Sequence, residues 1–163
     1  MAAKLKTPYH ASLSPRATHA RELRADVRSE APASGICRSA RVLIMDDDFT
    51  LQKLHKRYAS HAGYAVEIVS NGEAMLAAYK KAKQTGRPFD LVVIDLTVSC
   101  GMGGKEAIPK LIEYDPDARA VLSTGYAASM EESYWRKMGF AGSLPKPYEM
   151  GTFSQLVKDS LDK

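Results

Sequence analysis

Five short apolar runs alternate with five stretches of helical periodicity between residues 41 and 163. The clearest runs are Val42-Leu43-Ile44-Met45 and Leu91-Val92-Val93-Ile94. A continuous apolar run of this length, bounded by turn residues, fits a strand buried on both faces, as in a parallel sheet. The pattern predicts strands at 41–45, 64–69, 90–94, 119–123 and 140–144. It predicts helices at 49–61, from a cap at Ser70 to 84, and at 104–114, 127–138 and 149–161. The first helix should carry Leu51, Leu54, Tyr58 and Ala62 on one face, and the last a stripe of Met150, Phe153, Val157 and Leu161. Ser70-Asn71-Gly72-Glu73 has capping-box spacing, Gly86-Arg87-Pro88 breaks the chain, and Gly139 should end the fourth helix.

Strict alternation of strand and helix requires right-handed crossovers, hence a parallel sheet with helices on both faces. For about 120 residues this predicts an α/β fold, a flavodoxin-like doubly wound five-stranded sheet of order 2-1-3-4-5. The domain is expected over 41–163.

Residues 1–40, rich in Ala, Ser, Arg and Pro and without apolar period, read as a basic, disordered tail or linker. Seven of the 23 Lys/Arg and three of the 19 Asp/Glu lie there, so the tail accounts for the net charge of +4. The remainder carries 16 charges of each sign. A neutral domain beside a tail without interleaved aromatics argues against nucleic acid as a partner. No apolar run reaches the length of a membrane span, and the N-terminus lacks the apolar stretch of a secretory signal. Two isolated cysteines, Cys37 and Cys100, make neither a disulfide framework nor a zinc site, and fit a reducing cytoplasm.

The chemistry gathers at strand ends. Asp46-Asp47-Asp48 follows the first strand, Asp95 ends the third, Thr124 ends the fourth and Lys146-Pro147 follows the fifth. Open α/β sheets bind ligands at this edge. Several carboxylates in one crevice raise each other's pKa or recruit a cation. Hard oxygen donors suit Mg²⁺, which keeps waters and adds phosphate oxygens. Asp95 is then a candidate nucleophile for a phosphoryl group, with Lys146 as counter-charge and Thr124 as hydroxyl donor. Asp48 reads as the cap of the following helix.

This constellation resembles the response-regulator receiver domain of two-component signalling. The motifs are an acidic pair after strand 1, an aspartate closing strand 3, Thr124-Gly125 after strand 4 and Lys-Pro after strand 5. Asp95-Leu96-Thr97-Val98, Gly101-Met102-Gly103-Gly104-Lys105-Glu106-Ala107 and Ser123-Thr124-Gly125-Tyr126 look like receivers at the C-terminus of hybrid sensor histidine kinases. The resemblance implies a phosphoacceptor, able to dephosphorylate itself but not an enzyme in its own right. Asp95 would accept phosphate from a histidine kinase or histidine phosphotransfer protein. Asp46, Asp47, Asp95 and the backbone carbonyl of Thr97 would hold Mg²⁺. Thr124 and Lys146 would contact the phosphoryl oxygens, with Lys146-Pro147 cis. Gly125, Ser143 and Pro147 would flank the switching loops, and the fourth helix, fifth strand and fifth helix would form the partner or homodimer face.

Three residues depart from that pattern. Ser99 stands where proline is usual, and Pro109 should kink or shorten the third helix. Ser143 replaces a common aromatic switch residue. Two rival functions compete with the receiver. Asp46-Asp47-Asp48-Phe49-Thr50 also fits the Asp-x-Asp-x-Thr motif of haloacid-dehalogenase-like phosphatases, with Asp46 as nucleophile and Asp48 as general acid. That family needs a further acidic pair on a strand after the lysine. The other rival is a protein-binding module that is never phosphorylated. His55 and His61 read as surface or partly packed residues; Trp135, Tyr134 and Met130 as core and rim of the fourth helix.

Overall fold

The computed structural model describes residues 39–125 and 131–161, all within one of the chain's two units, Cys37–Lys163. The expected tail, Tyr126, Met130 and the start of the fourth helix lie outside the described residues. The elements run β1 (Arg41–Met45), α1 (Phe49–Ala62), β2 (Ala65–Val69), α2 (Gly72–Gln84), β3 (Leu91–Asp95), α3 (Gly104–Tyr114), β4 (Ala120–Thr124), α4 (Glu132–Lys137), β5 (Gly142–Pro145) and α5 (Met150–Leu161). They form one parallel sheet of order β2-β1-β3-β4-β5, the order expected from the sequence.

Alternate strand residues face opposite layers. Leu43, Met45, Val92, Ile94, Ala120 and Leu122 pack with Met75 and Tyr79 of α2, Ile108 and Leu111 of α3, and Trp135 of α4. Val42, Ile44, Leu91, Val93, Val121 and Leu144 pack with Phe153 and Val157 of α5 and Tyr58 of α1. Side chains of both parities are buried in β1, β3 and β4, so these strands read as unbroken apolar runs. Edge strand β2 is only half-buried.

Several local expectations shift. Asn71, not Ser70, caps α2, accepting from the amide of Ala74 at 2.9 Å. Glu73 reaches instead to the amide of Met102. The buried residues of α1 are His55 and Ala59, with Leu51, Leu54, Tyr58 and Ala62 on its half-buried flanks. On α5 Phe153 and Val157 are fully buried, whereas Met150, its first residue, is 38% exposed. Strand β5 begins only at Gly142, since Gly139 turns with φ +103° and Phe140 packs into the core. Pro109 neither shortens nor breaks α3: it is the sixth helical residue, on the exposed face. There the missing donor leaves a carbonyl at the surface rather than in the core.

Candidate functional site

The sheet order sets β1 beside β3, and β3 beside β4, with Asp95 in register with Ser123 and Thr124 with Pro145. Four strand ends therefore open into one crevice. Asp46, first residue beyond β1, is buried. Its amide donates to the Val69 carbonyl, and its own carbonyl accepts from Gln52 Nε2 of α1 at 2.7 Å. The Lys146 ammonium donates to Asp46 Oδ2 at 2.7 Å and to Asp95 Oδ2 at 2.6 Å. Burial opposes charge on Lys146, yet the hydrogen bonds and attraction of these two carboxylates outweigh it and raise its pKa. Asp95 Oδ1 accepts from the Thr97 amide at 3.1 Å, closing the turn after β3. Thr124 is buried at the end of β4, and its carbonyl accepts from the Lys146 amide. The Lys146-Pro147 peptide is cis.

Asp47 lies apart from this triad. Its Oδ2 accepts from the Ser99 amide at 2.6 Å, and hydrogen bonding to Ser99 holds its pKa below the ordinary carboxylate range. Ser99, seen in the sequence only as a departure, supplies an N–H that proline lacks. Gly125 is exposed, with open space at its Cβ position, and Ser143 pairs with Leu122 in β5. Asp48 Oδ1 accepts from the amides of Thr50 and Leu51 as the cap of α1. That leaves it poorly directed for the general-acid role a phosphatase motif would ask of it. Among the described residues β5 is the last strand and α5 follows, so the strand-borne acidic pair of such a phosphatase has no place there.

Sequence reasoning missed the supports of this crevice. The loop after β3 is held from α2, by the Gly72 amide donating to the Met102 carbonyl and the Met102 amide to Glu73 Oε2. A Cβ at Gly104 would lie 2.3 Å from the Asp95 carbonyl oxygen, so only glycine lets α3 start against the strand that carries Asp95. His55, expected at or near the surface, is fully buried and bonded to the Tyr148 hydroxyl. The glycine pair and the acid at 73 were visible signals; a buried histidine gave none.

Does the donor set suit Mg²⁺? Among the described residues no three acid, imidazole or thiol groups converge as a ready-made metal cage. Mg²⁺ seldom has an all-protein cage and binds through one or two carboxylates plus water and phosphate oxygens. Three carboxylates at one edge of the sheet against a single ammonium leave excess negative charge on hard oxygen donors. The set fits.

A family model, the response regulator receiver domain, matches residues 42–158, and the chain belongs to that family. It is a receiver domain of two-component signalling. Among its relatives, the chemotaxis protein CheY of Thermotoga maritima is 30% identical over 112 residues, covering 67% of this chain and 87% of that protein. The sensor kinase CckA of Brucella abortus is 27% identical over 134 residues, covering 80% of this chain but only 13% of the kinase. Among solved structures, a CheY-like receiver domain protein from Methanospirillum hungatei has a TM-score of 0.66 at 26% identity, covering 76% of this chain and 94% of that one. No helix among the described residues is long and apolar enough to cross a membrane.

Proposed function

We propose that this chain is a phosphorelay receiver in which Asp95 accepts a phosphoryl group from a phosphohistidine of a histidine kinase or histidine phosphotransfer protein. The observation that carries the proposal is the Lys146 ammonium lying on both Asp95 and the buried Asp46. It places a cation against the one acid that closes a central strand at the switch point of the sheet.

In the reaction, a carboxylate oxygen of Asp95 attacks phosphorus. The phosphorus–nitrogen bond of the donor breaks, and its electron pair leaves on the imidazole. An acyl phosphate forms on Asp95. Lys146 moves its hydrogen bond from the Asp95 carboxylate to a phosphoryl oxygen, and Thr124 donates its hydroxyl to another. Asp46, Asp47, Asp95 and the Thr97 carbonyl would hold Mg²⁺, whose charge offsets that of the equatorial oxygens. Phosphorylation adds about two negative charges. Thr124 and Lys146 grip them and shift the loops after β3 and β4.

The readout face we assign is α4, β5 and α5, for a partner protein or a second copy. A groove of about 370 Å³ there is lined by Val121, Trp135, Ser143 and Leu156 among others. With serine at 143 the switch runs without an aromatic at that position. Cys100, an exposed free cysteine, suits a reducing cytoplasm. The relatives include a sensor kinase, of which the chain covers 13%, and a chemotaxis protein, of which it covers 87%, so the domain suits either a kinase-borne or a separate receiver.

Beryllofluoride with Mg²⁺, a phosphoryl mimic, tests the reading by amide NMR. Shifts are expected around Thr124, Lys146 and α4, and their absence, or the same shifts in Asp95→Asn, would contradict it. Response in Asp95→Asn but not Asp46→Asn would favour the phosphatase.

A further inference from the structure

His55 lies nine residues beyond Asp46 on α1 and takes no part in the steps above. It is fully buried. Its ring lies nearly parallel to Tyr148, with centroids 5.7 Å apart and 13° between planes, and 6.1 Å from the ring of Phe153. Nε2 is hydrogen-bonded to the Tyr148 hydroxyl. Nδ1 has no hydrogen-bond partner among the described residues. Packing alone does not account for an imidazole here. An apolar side chain would fill the space against Phe153 without burying an unpaired nitrogen, which costs stability. What an apolar side chain could not supply is the bond to Tyr148.

That bond joins α1 to the loop between β5 and α5. Tyr148 stands two residues beyond Lys146, separated from it only by Pro147, whose ring fixes φ. The same helix holds the acidic turn, through Gln52 Nε2 on the Asp46 carbonyl. One rigid element therefore reaches both sides of the crevice, the acids through Gln52 and the lysine loop through His55. We infer that His55 is a positioning residue, whose hydrogen bond to the Tyr148 hydroxyl sets where the Lys146 ammonium lies relative to Asp95 and an incoming phosphoryl group. Burial keeps the imidazole neutral, with its pKa near 4, and raises that of the Tyr148 phenol, so the contact joins two uncharged groups in neutral solution.

The inference rests on the receiver reading, and the test separates the two. Wild-type binding of beryllofluoride reports on the receiver; the variants Tyr148→Phe, His55→Leu and His55→Gln report on the positioning. At saturating Mg²⁺, Tyr148→Phe and His55→Leu should each weaken beryllofluoride binding by about tenfold, the scale typical of losing a hydrogen bond that orients a ligating group. The Mg²⁺ affinity measured without beryllofluoride should not change. His55→Gln, which keeps a polar partner for Tyr148, should recover binding relative to His55→Leu. In the ligand-free protein the ¹⁵N resonance of Lys146 Nζ should shift in Tyr148→Phe, a readout independent of any phosphoryl mimic. Two results would overturn the inference. One is wild-type beryllofluoride affinity with an unmoved Lys146 signal in Tyr148→Phe. The other is affinity that follows melting temperature across the variants whether or not a polar partner for Tyr148 is kept.

Discussion

Lys146 and Asp47 show how single residues divide the work of the crevice. The ammonium of Lys146 is bonded to Asp46 and Asp95, while Asp47 is bonded to the Ser99 amide. Ser99→Pro deletes both the hydroxyl and the N–H through which Ser99 lowers the Asp47 pKa, so that pKa should climb back toward the ordinary carboxylate range, as followed by ¹³C titration of its carboxyl. His55 makes a second prediction. Its folded pKa is near 4 against an ordinary value of 6.5, because burial disfavours the imidazolium. The nearby Asp46 favours the cation and Lys146 disfavours it. Between those values the unfolded chain binds the extra proton. The contribution is thus fully present above pH 6.5 and is lost as pH falls toward 4. It amounts to about 3 kcal/mol. Denaturant titrations from pH 7 to 4 should be flatter in His55→Leu than in wild type.

At the scale of elements, Gly104 and Asn71 mark where α3 and α2 must begin. Gly104→Ala sets a methyl carbon 2.3 Å from the Asp95 carbonyl oxygen, with backbone rather than a movable side chain as the obstacle. It should destabilise the fold by about 3 kcal/mol and displace Asp95, seen together as a lower melting temperature and altered shifts at Asp95. Asn71→Ala, which removes a cap only, should cost about 1 kcal/mol and leave those shifts in place. The strands were legible because β1, β3 and β4 are buried on both faces and leave unbroken apolar runs. The edge strand β5 was misplaced because Phe140 belongs to the core without belonging to the ladder. The acids and the lysine could be named because each follows a strand. The contacts that support them, such as the Ser99 amide on Asp47 and the bond between His55 and Tyr148, could not, because backbone donors and contacts 93 residues apart leave no local pattern.

Across the whole molecule, the two ends of the sheet carry different polar chemistry. The C-terminal edge holds the acidic crevice. Near the N-terminal edge of β4, buried Asp115 accepts from the Tyr79 hydroxyl at 2.6 Å and from Lys83. Burial works against the Asp115 carboxylate, but the bonds to Lys83 and Tyr79 outweigh it and lower its pKa. Asp115→Ala strands a buried phenol and should cost about 2 kcal/mol in chemical denaturation while leaving beryllofluoride affinity intact, since this network lies at the opposite end of the sheet from the crevice. If Asp95 itself takes the phosphoryl group, mapping of the modified residue will show it. The protein is incubated with a small acyl phosphate donor and Mg²⁺, the adduct is trapped by borohydride, and the modified residue is located by peptide sequencing. Modification is expected at Asp95, abolished in Asp95→Asn and preserved in Asp115→Ala. Modification at Asp46, or an adduct that persists in Asp95→Asn, would contradict that role for Asp95.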